Sequence, residues 1–410
     1  MSNPARNTRK KHESAIVAFS GGLDTSMLVP YLRDEYGIKN ITTCFVDTGG
    51  MSEEDKQTIQ KRAEELRADR HICVDATQAF FDEIIKYLIF GNVTRDGYPL
   101  CVGAERLIQA RETIRTAIEN GISLVANGCT GAGNDQYRFD LVANVLGEDI
   151  ETIAPVRDQS ITRAFSQNYL KDRQISVPDK ARYSYNAGLW GVSIGGDETH
   201  TSQGLIPDEA WYSQPDPDLV EAEIQIEFDR GVPVRMSDTV RKIETDGPVD
   251  VIRQLAKTGQ DLGIGRHYHV GTSIPGKKGR IAYESPAADI LYESHRTLEK
   301  HVLSQAQIFM KMHVANEFGR LIHEAHFFDP LIDDLKAYLE SSQSRVSGVC
   351  TLRLKPWRIE SVTVDTPNDL LQVDGSVYGE EAEYYNARDA LGASRLHSYE
   401  QVLIRKSERG

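Results

Sequence analysis

Short apolar runs alternate with longer amphipathic runs along the first part of the chain. Residues 15–19 (Ala-Ile-Val-Ala-Phe) predict a buried parallel strand, and the run over 27–36 predicts a helix that ends at Gly37. The other predicted strands are 40–46, 71–74 and 122–126, and the other predicted helices are 52–68, 78–90 and 104–119. This alternation is typical of an α/β fold with a doubly wound parallel sheet.

The rest of the chain is less regular and predicts a second domain of α+β character. Residues 222–228 alternate between apolar and polar and meet Gly-Val-Pro-Val at 231–234, which indicates a hairpin. One long helix is predicted over 287–318, with Pro286 before its first turn. The remaining predictions are paired strands at 347–354 and 359–364 and a structured binding loop at 181–196.

A glycine-rich turn, Ser-Gly-Gly-Leu-Asp-Thr-Ser at 20–26, joins the first predicted strand to the first predicted helix. Such a turn exposes backbone N–H groups beside a helix N-terminus, which is a site for phosphate. Its glycines let the backbone approach an anion, and its hydroxyls add donors. No Lys follows, so the turn is not a Walker loop. The alternative is a tight turn with ordinary helix capping, but the order of strand, loop and helix favours phosphate binding.

Composition and charge exclude several classes of protein. The chain has 410 residues, of which 40% are hydrophobic, enough for more than one core. Its net charge of -14 argues against a broad nucleic-acid surface. We expect no membrane span, because no apolar run is long enough, and no signal peptide, because residues 1–12 are polar and basic. Five scattered cysteines show no metal spacing, so a reducing cytoplasm is the simplest setting.

Two loops carry a resemblance to a known family. The turn at 20–26 resembles the pyrophosphate loop of the N-type ATP pyrophosphatases. Residues 128–139 (Gly-Cys-Thr-Gly-Ala-Gly-Asn-Asp-Gln-Tyr-Arg-Phe) resemble a loop of the argininosuccinate synthases. Further segments similar to that family's motifs follow in the family's order, at 154–157, 224–234, 263–266, 283–286 and 389–406. A single short motif can occur by chance, whereas this ordered set of motifs identifies the chain as a member of the family.

The resemblance implies an ATP-dependent ligase that forms a C–N bond. A ureido-type acceptor, citrulline or a related compound, would attack the α-phosphorus of ATP and release pyrophosphate, and the amine of aspartate would then displace AMP. The product would be argininosuccinate or an analogue. Mg²⁺ would offset the charge of the leaving pyrophosphate. Proteins of this family serve arginine biosynthesis and are typically cytoplasmic homotetramers held partly by a C-terminal arm.

The resemblance also implies roles for individual residues. ATP is expected at Ala18, Ser20, Gly21, Gly22, Asp24, Thr25, Ser26, Val46 and Gly128. Aspartate is expected at Thr130, Asn134 and Asp135, and the acceptor at Tyr98, Asn134, Arg138, Ser184, Ser193 and Tyr283. Ser20, Asp24 and Arg138 are the catalytic candidates, and no metal ligand is assigned. The alternatives are helix capping for Asp135 and half-buried packing for Tyr98 and Tyr283.

Several positions depart from the family's pattern. Gly103 stands where the family has Ser, and Gly271 where it has Glu, and both of those family residues contact citrulline. The loss of a carboxylate at 271 removes a partner for an ammonium group. The other departures are Ala132 for Lys, Val156 for Trp, and Asn-Ala-Gly at 186–188 for Asp-Glu-Asn. Two interpretations stay open: a divergent member with an altered acceptor, and an ordinary synthase whose loops compensate.

Four parts are predicted along the chain. They are a flexible tail (1–13), an ATP-binding domain (14–165), a synthetase domain (166–365) and a C-terminal oligomerisation arm (366–410). Two other functions are weighed. A tRNA-modifying enzyme of the pyrophosphate-loop class would need a basic face and often catalytic cysteines, which this acidic chain lacks. A non-catalytic ATP-binding relative is disfavoured by the intact turn at 20–26 but kept open by Gly103 and Gly271.

Overall fold

A five-stranded parallel sheet organises the N-terminal part of the chain. The computed structural model describes residues 12–131, 133–177, 183–373 and 384–409. The strands are β1 Ser14–Ala18, β2 Asn40–Asp47, β3 Arg70–Asp75, β4 Leu124–Ala126 and β5 Glu151–Ile153. They lie in the order β3-β2-β1-β4-β5, and every pair is parallel. The chain therefore builds the sheet outward from β1 on one side and then crosses to the other.

Helices cover both faces of this sheet. They are α1 Leu23–Tyr36, α2 Glu53–Glu65, α3 Thr77–Phe80, α4 Lys86–Gly91, α5 Glu105–Glu119, α6 Asp135–Leu146, α7 Pro155–Asp158 and α8 Arg163–Lys171. Successive side chains of a strand point to opposite faces. Ala15 and Val17 of β1 accordingly pack in one apolar core with α1, whereas Ile16 packs in the other core with α5. The predicted doubly wound α/β fold is confirmed.

Local signals set the ends of these helices. α1 ends at Gly37, whose φ of 69° is left-handed, and α2 begins after Ser52, which forms a reciprocal capping box with Asp55. The helix predicted over 78–90 is interrupted, because a π-helical turn at Phe81–Ile85 separates α3 from α4. The apolar pattern alone does not distinguish a π turn from an α turn.

Two antiparallel sheets form the C-terminal part. The strands are β6 Ser184–Gly188, β7 Gly191–Gly195, β8 Ala222–Asp229, β9 Val232–Asp238, β10 Ile243–Asp246, β11 Arg266–Thr272, β12 Lys278–Glu284, β13 Gly348–Lys355 and β14 Arg358–Asp365. One sheet has the order β10-β9-β8-β13-β14 and the other β11-β12-β7-β6. The predicted β8–β9 and β13–β14 pairs are confirmed. The predicted loop at 181–196 is instead the β6–β7 hairpin from residue 184 on, and 181–182 lie outside the described residues.

The C-terminal helices are α9 Pro248–Asp261, α10 Pro286–Val302, α11 Gln305–His323, α12 Leu331–Ser342 and α13 Ala387–Ser407. The prediction of one helix over 287–318 is wrong. Leu303 takes an extended conformation, and Ser304 starts α11 through a capping box with Gln307. Apolar residues continue through this break, so the apolar spacing does not indicate it. The capping pattern Ser-x-x-Gln at 304–307 is nevertheless present in the sequence. α9 and α12 were not predicted.

A buried polar cluster ties α10 and α11 to the end of α4. Lys311 donates to the backbone carbonyl of Phe90 over 2.8 Å and pairs with Glu299. Glu299 also accepts hydrogen bonds from Asn92 and Gln343, each over 2.9 Å. A buried charge is tolerated when it is paired and hydrogen-bonded in this way.

The division into domains stays a prediction. The boundary placed between 165 and 166 falls inside α8, which packs against α1 in the N-terminal core, whereas the boundary at 365 coincides with the end of β14. α13, the predicted C-terminal arm, is a helix with no buried residue. Across the described ranges, no helix combines the length and apolar character needed to cross a membrane.

Candidate active site

A cleft of about 590 Å³ opens at the carboxyl ends of β1, β2 and β4. The order of the sheet reverses beside β1, because β2 lies on one side of it and β4 on the other. In open α/β sheets ligands bind at such a switch point. The two loops that stand out in the sequence, 20–26 after β1 and 128–134 after β4, both contribute to the lining of this cleft and form two of its walls.

Nine of the predicted site residues line the cleft. They are Ala18, Ser20, Gly22, Thr25, Val46, Gly128, Thr130, Asp135 and Ser184. The predicted residues outside the lining are Gly21, Asp24, Ser26, Tyr98, Asn134, Arg138, Ser193 and Tyr283. The structure therefore brings together most of the expected nucleotide residues in the cleft. Of the expected acceptor residues, only Ser184 belongs to the lining.

The loop at 20–26 is closed by its own polar groups. Ser20 Oγ lies 3.3 Å from Thr25 Oγ1, and the N–H of Gly22 donates to Ser20 Oγ over 3.4 Å. Gly21 has a φ of 73°, which glycine adopts without strain. These contacts are long for hydroxyl hydrogen bonds. An incoming phosphate would therefore displace weak bonds and gain the same donors.

Two polar residues of α1 support this loop from behind. Ser26 is fully buried, where its hydroxyl donates to the carbonyl of Gly21 over 3.1 Å and accepts from Arg62 Nε over 3.0 Å. Asp24 Oδ1 accepts from the hydroxyl of Ser166 in α8 over 3.1 Å. Both side chains thus fix the shape of the loop and its helix.

The second wall comes close to the first. A β-carbon built on Gly128 would lie 3.0 Å from the Thr25 methyl group, which is tighter than ordinary van der Waals contact. Asn127 holds this turn, because its side-chain oxygen accepts from the N–H of Cys129 over 3.1 Å. The absence of a side chain at Gly128 therefore lets the two loops approach each other closely at this point.

Arg106 on α5 lines the cleft, and no motif in the sequence indicates it. Its guanidinium donates to Asn186 Oδ1 over 2.9 Å, and its Nε lies 3.3 Å from Asp135 Oδ2. A third partner is Glu105, whose Oε1 lies 3.7 Å from Nη1 of Arg106. Arg106 therefore links α5, α6 and the β6–β7 hairpin. Because these partners come from distant segments, only the tertiary structure reveals the role.

Asp135 faces two guanidinium groups. Besides Arg106, it accepts from Arg138 Nη1 over 2.9 Å. It is the first residue of α6 rather than its cap, so the capping alternative does not describe it. Asn134 holds the neighbouring sheet, because its side-chain oxygen accepts from the N–H of Ile274 over 2.9 Å, in the turn between β11 and β12.

The predicted acceptor residues form a packed group. Tyr98 and Tyr283 are 7% and 4% exposed, and their rings meet edge to face with centroids 5.0 Å apart. The hydroxyl of Tyr98 accepts from the N–H of Val102 over 3.2 Å. Ser193 of β7 pairs with Tyr283 of β12, which brings these two residues side by side. The two rings are thus packed against each other, as the alternative of half-buried packing describes.

A buried carboxylate, Glu105, lies behind the cleft. Thr48, which lines the cleft, donates to Glu105 Oε2 over 3.0 Å, while Oε1 has no hydrogen-bond partner among the described residues. Burial raises the pKa of Glu105 to about 7. A β-carbon on Gly188 would lie 1.9 Å from Glu105 Oε2, so the carboxylate fills the space of a side chain at 188.

Two domain descriptions match nearly the whole chain. The family model described as the arginosuccinate synthase N-terminal HUP domain matches residues 14–176, and the C-terminal domain of the same family matches residues 183–403. The chain is 34% identical to the argininosuccinate synthase of Methanocaldococcus jannaschii over 95% of this chain and 97% of that protein. Identity to the argininosuccinate synthase of Xylella fastidiosa is also 34%, over 96% and 97%. The chain belongs to the argininosuccinate synthase family.

Membership of the argininosuccinate synthase family confirms the resemblance seen at 20–26 and 128–139. The N-terminal match includes all of α8, in keeping with the packing of α8 on α1. Both matches are long, so the departures that the sequence indicates at Gly103, Gly188 and Gly271 would be local changes within the fold of this family.

Proposed function

We propose that this protein is an ATP-dependent ligase that activates a ureido-type acceptor and joins it to aspartate, with release of AMP and pyrophosphate. Family membership supports the reaction class. The observation that carries the proposal is the cleft at the switch point, because residues of the 20–26 loop and Asp135 line the same space. A triphosphate on one wall and an amine on the other are what this reaction must bring together.

The first wall would hold the nucleotide. Backbone N–H groups of the 20–26 loop, with the hydroxyls of Ser20 and Thr25, would bind phosphate oxygens. Val46 at the end of β2 would lie near the adenine, and Gly128 would lie beside the nucleotide. Donors placed where pyrophosphate leaves would stabilise the charge that develops there.

The second wall would hold aspartate by exchange of partners. Asp135 is now paired with Arg106 and Arg138. The ammonium of a bound aspartate would replace Arg106 beside Asp135, and a carboxylate of the ligand would take up the released guanidinium. Thr130 and Asn134 would add hydroxyl and amide donors. The amine must stay unprotonated to attack, so proton loss precedes the second step.

Mg²⁺ would enter with the nucleotide. No three His, Cys, Asp or Glu side chains gather as a metal site in the described ranges. Asp47, which lines the cleft, is paired with Lys56 over 2.9 Å. Mg²⁺ bound to phosphates needs few protein ligands, because it keeps several waters. The ion would then screen the charge of the departing pyrophosphate.

A cytoplasmic homotetramer is the proposed assembly. α13 spans 21 residues, none of them buried, and it exposes Leu396, Tyr399 and Ile404 by 79%, 62% and 53%. A helix with exposed apolar side chains and no buried residue fits a surface that other subunits cover. Sedimentation of the full chain and of a Leu396→Glu variant tests this, because the variant should shift toward smaller species.

The reaction is tested by measuring AMP and pyrophosphate formation with ATP, aspartate and a panel of ureido and amide compounds. We expect both products only when aspartate and a ureido compound are present together. The Ser20→Ala variant should lose both products while its circular dichroism stays unchanged. Pyrophosphate release without any acceptor, or none with the whole panel, would contradict the proposal.

A further inference from the structure

The carboxylates that line the cleft already have cationic partners. Asp135 faces the guanidinium groups of Arg106 and Arg138, and Asp47 pairs with Lys56 over 2.9 Å. A proton from a ligand amine would have to displace these charge-assisted contacts. Of the described residues that line the cleft, none is a histidine or a lysine.

The titratable thiols and the phenol of the lining hold their protons. Burial raises the pKa of Cys44 to about 11 and that of Cys129 to about 12, so both thiols are protonated near pH 7. Burial also raises the pKa of Tyr185, whose hydroxyl donates to the carbonyl of Ala210 over 2.9 Å. The lining that the structure describes thus offers no uncommitted side chain to accept the proton that the amine must lose.

Glu105 stands behind this lining and reaches the cleft through Thr48. The Glu105 side chain is fully buried, and its Oε2 accepts from Thr48 Oγ1 over 3.0 Å. Its Oε1 lies 3.7 Å from Arg106 and has no hydrogen-bond partner among the described residues. Thr48 itself lines the cleft. Gln109 donates to one lone pair of the Thr48 hydroxyl over a long 3.4 Å, so the other lone pair can accept from a ligand.

The β6–β7 hairpin covers the other side of this carboxylate. Gly188 lies so close to Glu105 Oε2 that a β-carbon there would approach to 1.9 Å. A β-carbon on Gly50 would in turn lie 2.4 Å from the Cα of Gly188. The turn after β2 and the hairpin are therefore in direct contact. Within the described structure, the hydroxyl of Thr48 is the polar connection between Glu105 and the cleft.

Arg106 connects Glu105 with the place proposed for the amine. Its Nη1 lies 3.7 Å from Glu105 Oε1, and its Nε lies 3.3 Å from Asp135 Oδ2. One guanidinium thus contacts both carboxylates. In the proposed function the ammonium of aspartate replaces Arg106 beside Asp135, so it would stand between Asp135 and the Thr48–Glu105 pair.

We propose that Glu105 takes up, through the hydroxyl of Thr48, the proton that the aspartate amine must lose before it attacks. The inference rests on the proposed ligase function. Thr48 is the group that touches the amine. Glu105 is a positioning residue that orients this hydroxyl and receives its proton.

Each proton and electron pair has a place in this step. One N–H bond of the ammonium breaks, its proton moves to Thr48 Oγ1, and Thr48 passes its own proton to Glu105 Oε2. The freed lone pair forms the C–N bond, and the C–O bond to AMP breaks with its electron pair on the phosphate oxygen. That oxygen takes the second proton from the newly bonded nitrogen. Glu105 returns its proton to water through Thr48 when the products leave.

The charges around Glu105 suit this role. Burial raises its pKa to about 7, so the carboxylate gains and loses a proton near neutral pH. Arg106 opposes this rise, while Asp135 of α6 and Asp47 of β2 add to it. The thiol of Cys101 stays neutral, because burial raises its pKa to about 12, and the β6–β7 hairpin carries no charged residue.

Single turnovers separate the two steps of the reaction. The full chain, in excess over ATP, is mixed with citrulline and aspartate, and pyrophosphate and AMP are followed in time. Adenylation requires no proton from the amine, so Glu105→Gln should form pyrophosphate at the wild-type rate. Its rate constant for AMP formation should fall by roughly a hundred-fold.

The pH profile gives a readout that a merely structural role would not change. Because the carboxylate must be ionised to accept a proton, the wild-type rate of AMP formation should fall as the pH drops through about 7. Glu105→Gln should lack this bend. With 3-fluoroaspartate, whose fluorine makes the amine lose its proton more readily, the deficit of the variant should shrink.

Matched variants test the path through Thr48. Thr48→Val keeps the shape but removes the hydroxyl, so it should slow AMP formation as Glu105→Gln does, whereas Thr48→Ser should retain most of the rate. Glu119→Gln is the control, because it removes an exposed carboxylate at the end of the same helix, α5. Both of its rates should equal those of the wild type. The Thr48 variants carry the same test if Glu105→Gln does not fold.

The outcomes separate the two claims. If Glu105→Gln forms both products at the wild-type rates, or loses both equally at every pH, the proposed function stands and this inference is overturned. It is also overturned if Thr48→Val forms AMP as fast as Thr48→Ser. If the wild type releases no pyrophosphate with citrulline or any other compound of the ureido panel, the proposed function and this inference both fail.

Discussion

The proposed nucleotide side and the predicted acceptor side are built in different ways. The proposed nucleotide side consists of two loops that follow neighbouring parallel strands, and Ser20 makes only long contacts with Gly22 and Thr25. The acceptor side is assembled from α5, α6, the end of α11 and two hairpins, and its rings are stacked and buried. The first is shaped by backbone, and the second by side chains.

This difference bears on which positions can change without disturbing the sheet. Backbone N–H groups bind phosphate whatever the side chains are, so few substitutions can alter that wall without breaking the sheet. A wall made of side chains from distant segments changes specificity one residue at a time. Of the departures indicated by the sequence, Gly103, Gly188 and Gly271 lie on or beside the predicted acceptor side, whereas Val156 lies in α7 and position 132 lies outside the described residues.

The largest effect is expected on the nucleotide side. Ser20→Ala removes a hydroxyl at the phosphate loop and should lower kcat for pyrophosphate release by roughly a hundred-fold or more. Asp24→Ala, which frees Ser166, should act in the same direction. Ser52→Ala is the control, because it removes a helix cap outside the loop and should cost only about 1 kcal/mol of unfolding free energy. Unchanged pyrophosphate release by Ser20→Ala would place the phosphates elsewhere.

Substitution of Asp135 should impair the use of aspartate but not the binding of ATP. Asp135→Asn keeps the shape but removes the charge, so kcat/KM for aspartate should fall by about 10- to 100-fold while the KM for ATP changes little. Asp149→Asn, an exposed position after α6, is the matched control. An equal loss for ATP and aspartate would show that Asp135 shapes the whole cleft instead.

Glu105 should make stability depend on pH. Burial raises its pKa from the ordinary 4.5 to about 7, so the folded protein keeps a proton that the unfolded chain releases in this range. Stability is then lost as the pH rises from about 4.5 to about 7. Glu105→Gln should therefore exceed the wild type by about 3 kcal/mol at pH 8 and match it near pH 4.

Denaturant unfolding of both proteins across this pH range measures that difference. Glu299 is a buried carboxylate that is paired with Lys311, so its substitution should have the opposite effect. Glu299→Gln would leave the charge of Lys311 uncompensated and should lower the unfolding free energy by about 3 kcal/mol at pH 8. A constant difference between wild type and Glu105→Gln at every pH would mean that Glu105 does not titrate in this window.

The smallest effect is expected for a hydroxyl on the acceptor side. Tyr98→Phe loses the hydrogen bond from Val102 and should lower the unfolding free energy by about 1 kcal/mol. This outcome would fit the packing alternative for the ring. A fall of more than about ten-fold in kcat/KM for the acceptor, with unchanged stability, would instead place this hydroxyl against the ligand.

Predictability from the sequence follows the same division. β1, α1 and the loop between them are local features, so the apolar run and the glycines at 21 and 22 were enough to place them. The break at Leu303 and Ser304 was missed because apolar spacing runs through it. Arg106 and Glu105 were missed because their partners come from residues 48, 135 and 186. Only the fold brings such residues together.

The contact between Glu105 and Gly188 makes the residues at these two positions depend on each other. A side chain at 188 and the carboxylate at 105 compete for the same space, since a β-carbon would lie 1.9 Å from Oε2. A larger residue at 188 therefore requires the Glu105 carboxylate to move or a smaller residue to stand at 105. We expect Gly188→Asn to be tolerated better together with Glu105→Ala than alone.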